Sequence, residues 1–105
     1  MTFDDVPTAK ENPINGKLFN KKSGENVYDA SKVDYRGDEV TVENFYAVLK
    51  GDSATTGGKP VLRTNAQSKV FIFYADHGAP GLLQMPAGNQ AVFADELQSV
   101  IDYME

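Results

Sequence analysis

Three consecutive residues, Asp76, His77 and Gly78, carry the chemistry that this sequence offers. His77 is the one histidine in the chain. Its imidazole can take or give a proton near neutral pH. Gly78 has no Cβ, so its backbone N–H can approach a ligand oxygen closely, as an oxyanion-hole donor must. Asp76 stands either as the orienter of the imidazole or as a cap of the turn. A lone histidine is often structural, held through one ring nitrogen. Position favours function here, because His77 follows the most hydrophobic run of the chain, Val70 to Tyr74. In open α/β sheets, ligands bind beyond the carboxyl ends of such strands. Histidine plus a neighbouring glycine amide is half of an acyl-transfer site, and the other half is a nucleophile.

No residue of the chain supplies that nucleophile convincingly. There is no cysteine, hence no thiolate and no disulfide. Ser23, Ser31, Ser53, Ser68 and Ser99 fall in turns, loops or on a helix, and none lies in a Gly-x-Ser-x-Gly elbow. One histidine is too few for a typical zinc site, and no carboxylate spacing supports glycosidase chemistry. Gly57-Gly58-Lys59 resembles a phosphate loop only superficially. Ser53 replaces the required earlier glycine, and Pro60 follows the lysine. No cofactor and no metal is expected.

The 105 residues suffice for one small domain, and 41% of them are apolar. Such a chain buries a limited core and is marginally stable. Ten basic residues against fifteen acidic ones leave a net charge of −5. That balance, with Lys21–Lys22 as the densest basic group, argues against a nucleic-acid partner. No apolar run approaches the roughly 20 residues of a spanning helix. The start, MTFDDVPTAK, lacks the pattern of a signal peptide, and no Asn-x-Ser/Thr acceptor occurs.

Several elements must position the Asp-His-Gly triplet. MTF reads as the end of a strand, and Asp4 to Gly16 as a loop. Leu18–Phe19 and Val27–Tyr28 read as the arms of a β-hairpin joined by NKKSGE. Thr41 predicts a helix N-cap, with Glu43 in the first turn and Gly51 ending the helix. Val42, Phe45, Val48 and Leu49 should form its buried face. DSATTGGKP reads as a flexible surface loop. KVFIFYAD predicts a strand buried on both faces, as at the centre of a parallel sheet. LLQM reads as a short extended piece. The final segment predicts a helix with a stripe of Leu97, Val100, Ile101 and Met104. One full strand is few for such a sheet, so the chain is expected to be an internal slice of a larger α/β domain.

The blocks MTFDDV, NPINGKLFN, VDYRGDEVTVENFYAVLKGD and VFIFYADHGAPGLLQMP together resemble the legumain family. These are asparaginyl endopeptidases of the caspase-like cysteine peptidase clan. The likeness runs over nearly all 105 residues. The middle block is shared with the catalytic subunit of the GPI transamidase, which usually has Gly-His-Gly at the histidine; Asp76, GKLFN and GLLQMP favour legumain. The resemblance implies His77 as the catalytic histidine, Gly78 as an oxyanion-hole donor and Asp76 as a modulator of the site, with ligase-related chemistry proposed for it. It implies a caspase-like three-layer α/β sandwich, its mostly parallel sheet flanked by helices, cleavage of peptide or protein substrates after asparagine, and a lysosomal or vacuolar setting. The family's nucleophilic cysteine and specificity pocket have no counterpart in residues 1–105, so the chain is expected to be a partial domain, inactive alone. Lys50-Gly51-Asp52 falls where some relatives carry Arg-Gly-Asp, and it reads as helix capping. A non-enzymatic α/β module, binding a partner at an open sheet edge, is the alternative from another class.

Overall fold

The computed structural model describes all 105 residues. Its first regular helix, α1, spans Val42–Lys50. The Thr41 hydroxyl accepts the Asn44 N–H at 3.1 Å, and the Gln90 side-chain carbonyl accepts the Val42 N–H at 3.0 Å. Two of the orphan donors that every helix start presents are thereby satisfied. The helix ends at Gly51, whose φ is 73°. A Cβ there would lie 2.9 Å from the Leu62 carbonyl oxygen. Glycine is thus required twice, for its left-handed backbone and for the close approach of Leu62. Gly51→Ala is expected to cost about 1–3 kcal/mol, read as a lower urea midpoint with an unchanged slope. An unchanged midpoint would show that this helix end carries no constraint. Asp52, following, accepts the Ala54 and Thr55 N–H groups. The capping expected of this tripeptide is seen in its backbone: the Gly51 and Asp52 N–H groups donate back to the Val48 and Ala47 carbonyls of α1.

Three short strands form an antiparallel sheet in the order β1 (Gly78–Ala79), β2 (Leu82–Gln84), β3 (Ala91–Phe93). Gly78 pairs with Leu83, and Leu83 with Val92. Pro80 and Gly81 make the turn between β1 and β2, and Gly81 has φ of 81°. That fits a type II turn, which wants proline first and a glycine at positive φ second. The last helix, α2, covers Ala94–Met104 and packs on α1 and β3. The Tyr46 hydroxyl of α1 donates to Glu96 of α2 at 3.2 Å. Burial first, then the Glu96 charge, pushes this phenol up to about 12, so it remains a proton donor.

The core is small. Val40, Met85 and Val92 are its centre, with Phe45, Tyr74, Leu83 and Leu97 packed around them. On α1 the fully buried residues are Ala47 and Leu49, while Val42, Phe45 and Val48 are half-buried. On α2 Val100 is buried and Leu97 and Met104 half-buried, but Ile101 is exposed.

Two expected strands are not formed as expected. The segment Val70–Asp76 joins no ladder, and residues 69–76 make no backbone–backbone hydrogen bond. Phe71 and Phe73 are 88% and 81% exposed. A strand exists only through its neighbours, and none of the 105 residues pairs with this one. The 16–28 segment does fold back, with Val27 N–H donating to the Leu18 carbonyl at 2.8 Å. It forms no ladder, because the Asn26 side chain accepts both the Leu18 and Tyr28 N–H groups. A side chain thus takes the place of backbone rungs. The MTF segment forms a single parallel bridge, Thr2 to Arg36. The sheet is therefore antiparallel, and the parallel pairing within these residues is confined to that bridge.

The loop after α1 is less free than its composition suggests. Thr56 is buried. Lys59 pairs with Glu39 and lies over the Tyr35 ring, 5.4 Å from its centroid. The Tyr35 hydroxyl donates to the Pro60 carbonyl at 2.8 Å. Hydrogen bonding to Lys59 holds the Glu39 carboxyl below its usual range. The N-terminal loop is tied in the same manner. Asp4, at φ 57°, has its side chain 2% exposed between Arg36 and Tyr28.

Candidate active site

His77 lies between the unpaired apolar segment and β1, and it is exposed. Its ring makes no hydrogen bond within the chain. Its backbone is held firmly. The His77 carbonyl accepts the Gln84 N–H at 2.9 Å. The His77 N–H donates to Asp76 Oδ1 at 2.6 Å. Asp76 thus bonds the backbone of the turn rather than the imidazole. Of its two readings from sequence, the cap is the one seen.

Gly78 is the first residue of β1, an edge strand. Antiparallel ladders alternate bonded and non-bonded pairs. The 77/84 pair carries a hydrogen bond, so the next pair, Gly78 with Leu83, is of the non-bonded type. The Gly78 N–H therefore points away from β2, toward the open edge. An added Cβ at Gly78 would lie 3.2 Å from the Leu82 carbonyl oxygen. The glycine thus keeps the tight strand pairing and leaves its amide accessible. His77 and Gly78, neighbours in the chain, thus present an exposed imidazole beside an N–H left free by β2.

Two residues that hold this turn escape the sequence reading. Tyr74 donates its hydroxyl to the Gln84 carbonyl, with Met85 Sδ 3.1 Å away. Gln84 supplies the amide that anchors His77. The only hint in the sequence is a tyrosine within an otherwise apolar run, since a partly buried phenol usually finds an acceptor. No cluster of three or more His, Cys, Asp or Glu side chains converges in the structure.

The full length of the chain, residues 1–105, matches the family model described as Peptidase C13 family. The chain belongs to the Peptidase C13 family. It is 43% identical over 104 residues to the vacuolar-processing enzyme delta-isozyme of Arabidopsis thaliana, covering 97% of this chain and 22% of that protein. It is 40% identical over 107 residues to legumain of Mus musculus, covering 99% of this chain and 24% of that protein. Legumain of Homo sapiens is 37% identical over 107 residues, with the same coverage of 99% and 24%. The C13 chain thus spans less than a quarter of the length of these relatives. No helix of it is long and apolar enough to cross a membrane.

Proposed function

We propose that these residues form the histidine-bearing part of a legumain-type cysteine endopeptidase site. His77 acts as the general base and acid, and the Gly78 N–H stabilises the oxyanion. The nucleophilic cysteine comes from outside residues 1–105. The observation that carries this reading is the solvent-facing His77 ring beside the outward Gly78 N–H, in a chain that matches Peptidase C13 end to end. In the full site the cysteine thiol loses its proton to His77 and attacks the scissile carbonyl. The oxyanion forms where the Gly78 N–H can meet it, and His77 then gives its proton to the leaving amine. Asp76 fixes the backbone that presents both groups.

The caspase-like sandwich with a mostly parallel sheet is part of the same proposal. A groove of about 480 Å³ runs beside the unpaired segment, lined by Met1, Phe3, Phe45, Val70, Ile72 and Met85 among others. Its apolar walls and the unpaired backbone of residues 69–76 fit further strands pairing there. The reading extends to peptide or protein substrates cut after asparagine and to a lysosomal or vacuolar setting; the peptidase family and the vacuolar-processing name of a relative support it.

The chain alone should show no turnover of an Asn-containing fluorogenic peptide at acidic or neutral pH, because covalent catalysis needs the absent thiolate. Hydrolysis by the purified chain, abolished by His77→Ala, would contradict this. Grafted in place of the matching region of mouse legumain, the same residues should support cleavage. A graft that transfers acyl groups to amines but not to water would favour the GPI transamidase reading. The exposed apolar edge at Phe71 and Phe73 favours a binding module instead if the graft is silent and the chain sediments as a defined oligomer.

A further inference from the structure

The rung between His77 and Gln84 is only half built from backbone. In a regular antiparallel pair of this type the two residues exchange both N–H···O bonds. Here Gln84 N–H donates to His77, but the reciprocal bond is not made. The His77 N–H goes instead to Asp76 Oδ1, and the Gln84 carbonyl accepts from the Tyr74 hydroxyl. A phenol thus occupies the acceptor that the histidine amide would otherwise take. On its other side Gln84 faces Ala91, and the adjacent 85/90 pair carries the bond to β3, from Met85 N–H to the Gln90 carbonyl at 2.8 Å. The polar groups of Gln84 therefore point toward the His77 side, where Tyr74 meets them.

We propose that Tyr74 is a positioning residue for His77. Its hydroxyl fills the Gln84 acceptor, so that the chain bends at Asp76 and His77 leaves the ladder with its ring toward solvent. Tyr74 is well placed for this. Its ring stands edge-on to Phe45, with centroids 6.0 Å apart and planes at 66°. Its hydroxyl also touches Met85, a residue 2% exposed in the core with Val40 and Val92. The segment entering the turn has no backbone hydrogen bond of its own, so Tyr74 is what ties it to the strand that leaves. Burial, and then the Asp76 charge, raises the phenol above its ordinary range, which keeps it a donor in acid and at neutrality. A phenylalanine would keep the ring contact and lose the bond.

The catalytic consequence rests on the reading of His77 as the proton carrier; the geometry does not, so the two are tested separately. In the 105-residue chain, amide exchange followed by NMR should show Tyr74→Phe speeding Gln84 N–H exchange about two- to tenfold, the worth of one hydrogen bond. Gln84→Ala, which leaves the backbone bonds in place, should leave it unchanged. A folded Tyr74→Phe variant with Gln84 exchange no faster than wild type overturns the proposal. Should that variant unfold, the wild-type chain decides. Its Gln84 N–H must exchange at least about tenfold more slowly than those of Phe71 and Phe73, and equal rates overturn the proposal. In the legumain graft, Tyr74→Phe should lower kcat with little change in KM, and an unchanged kcat counts against it. A graft inactive with Tyr74 intact counts against the peptidase reading, and the exchange result still decides the role of Tyr74.

Discussion

Met85→Ala is expected to strip the chain of a large part of its stability. Met85 is 2% exposed and stands at the centre of the core with Val40 and Val92. Truncating a buried methionine costs about 2–5 kcal/mol, through lost transfer energy and the cavity left behind. Domains of this size are stable by roughly 5–15 kcal/mol. Only nine of the 105 residues are buried here, which places the chain at the low end of that range. The loss would also remove the sulfur against the Tyr74 hydroxyl, and with it a wall of the turn that holds His77. Urea or thermal unfolding followed by circular dichroism measures the effect. Met85→Leu, which conserves volume, should cost less than about 1.5 kcal/mol. A Met85→Ala variant as stable as wild type would show that this cluster is not the core.

The parts of the fold legible in the sequence are those written locally. Thr41 and Gly51 mark the two ends of α1, and both do so through bonds to residues within one turn. Pro80–Gly81 marks the β1–β2 turn, and the Leu97–Val100 spacing marks α2. The apolar run before His77 was legible as a strand by composition. Its pairing was not, since a ladder depends on residues elsewhere, and none of these 105 supplies it. The hairpin at 16–28 failed for a different reason. Asn26 competes with the backbone for the N–H groups of Leu18 and Tyr28, and alternation of apolar residues carries no sign of that.

The site divides in the same way. His77, Gly78 and Asp76 stand out by their residue types and order, and the structure leaves all three exposed. The capping bond of Asp76 was one of two open readings, and its short contact with the His77 N–H selects it. Tyr74 ends an apolar run, and its acceptor Gln84 lies ten residues away, where no local pattern points to it. The Asp4 clamp on Tyr28 and Arg36 was hidden for the same reason, since its partners are distant in the chain. Lys59 likewise looked like loop composition, yet it fastens the loop to Glu39 and Tyr35. Such contacts depend on tertiary neighbours that no local pattern specifies.

The central claim is that His77 carries the proton in a C13 peptidase site. An exposed imidazole with no internal hydrogen bond adds little to stability, so its removal should leave the fold intact. Gly78 and the oxyanion donor survive the substitution, and only proton transfer and thiolate formation are lost. Those two losses are large together, because the nucleophile and its base act as a unit. The direct measurement is kcat for an Asn-containing fluorogenic peptide, cleaved by the legumain graft with and without His77→Ala at matched folding by circular dichroism. A fall of at least about a thousandfold is the predicted result, and a rate within about tenfold of the unsubstituted graft would contradict it.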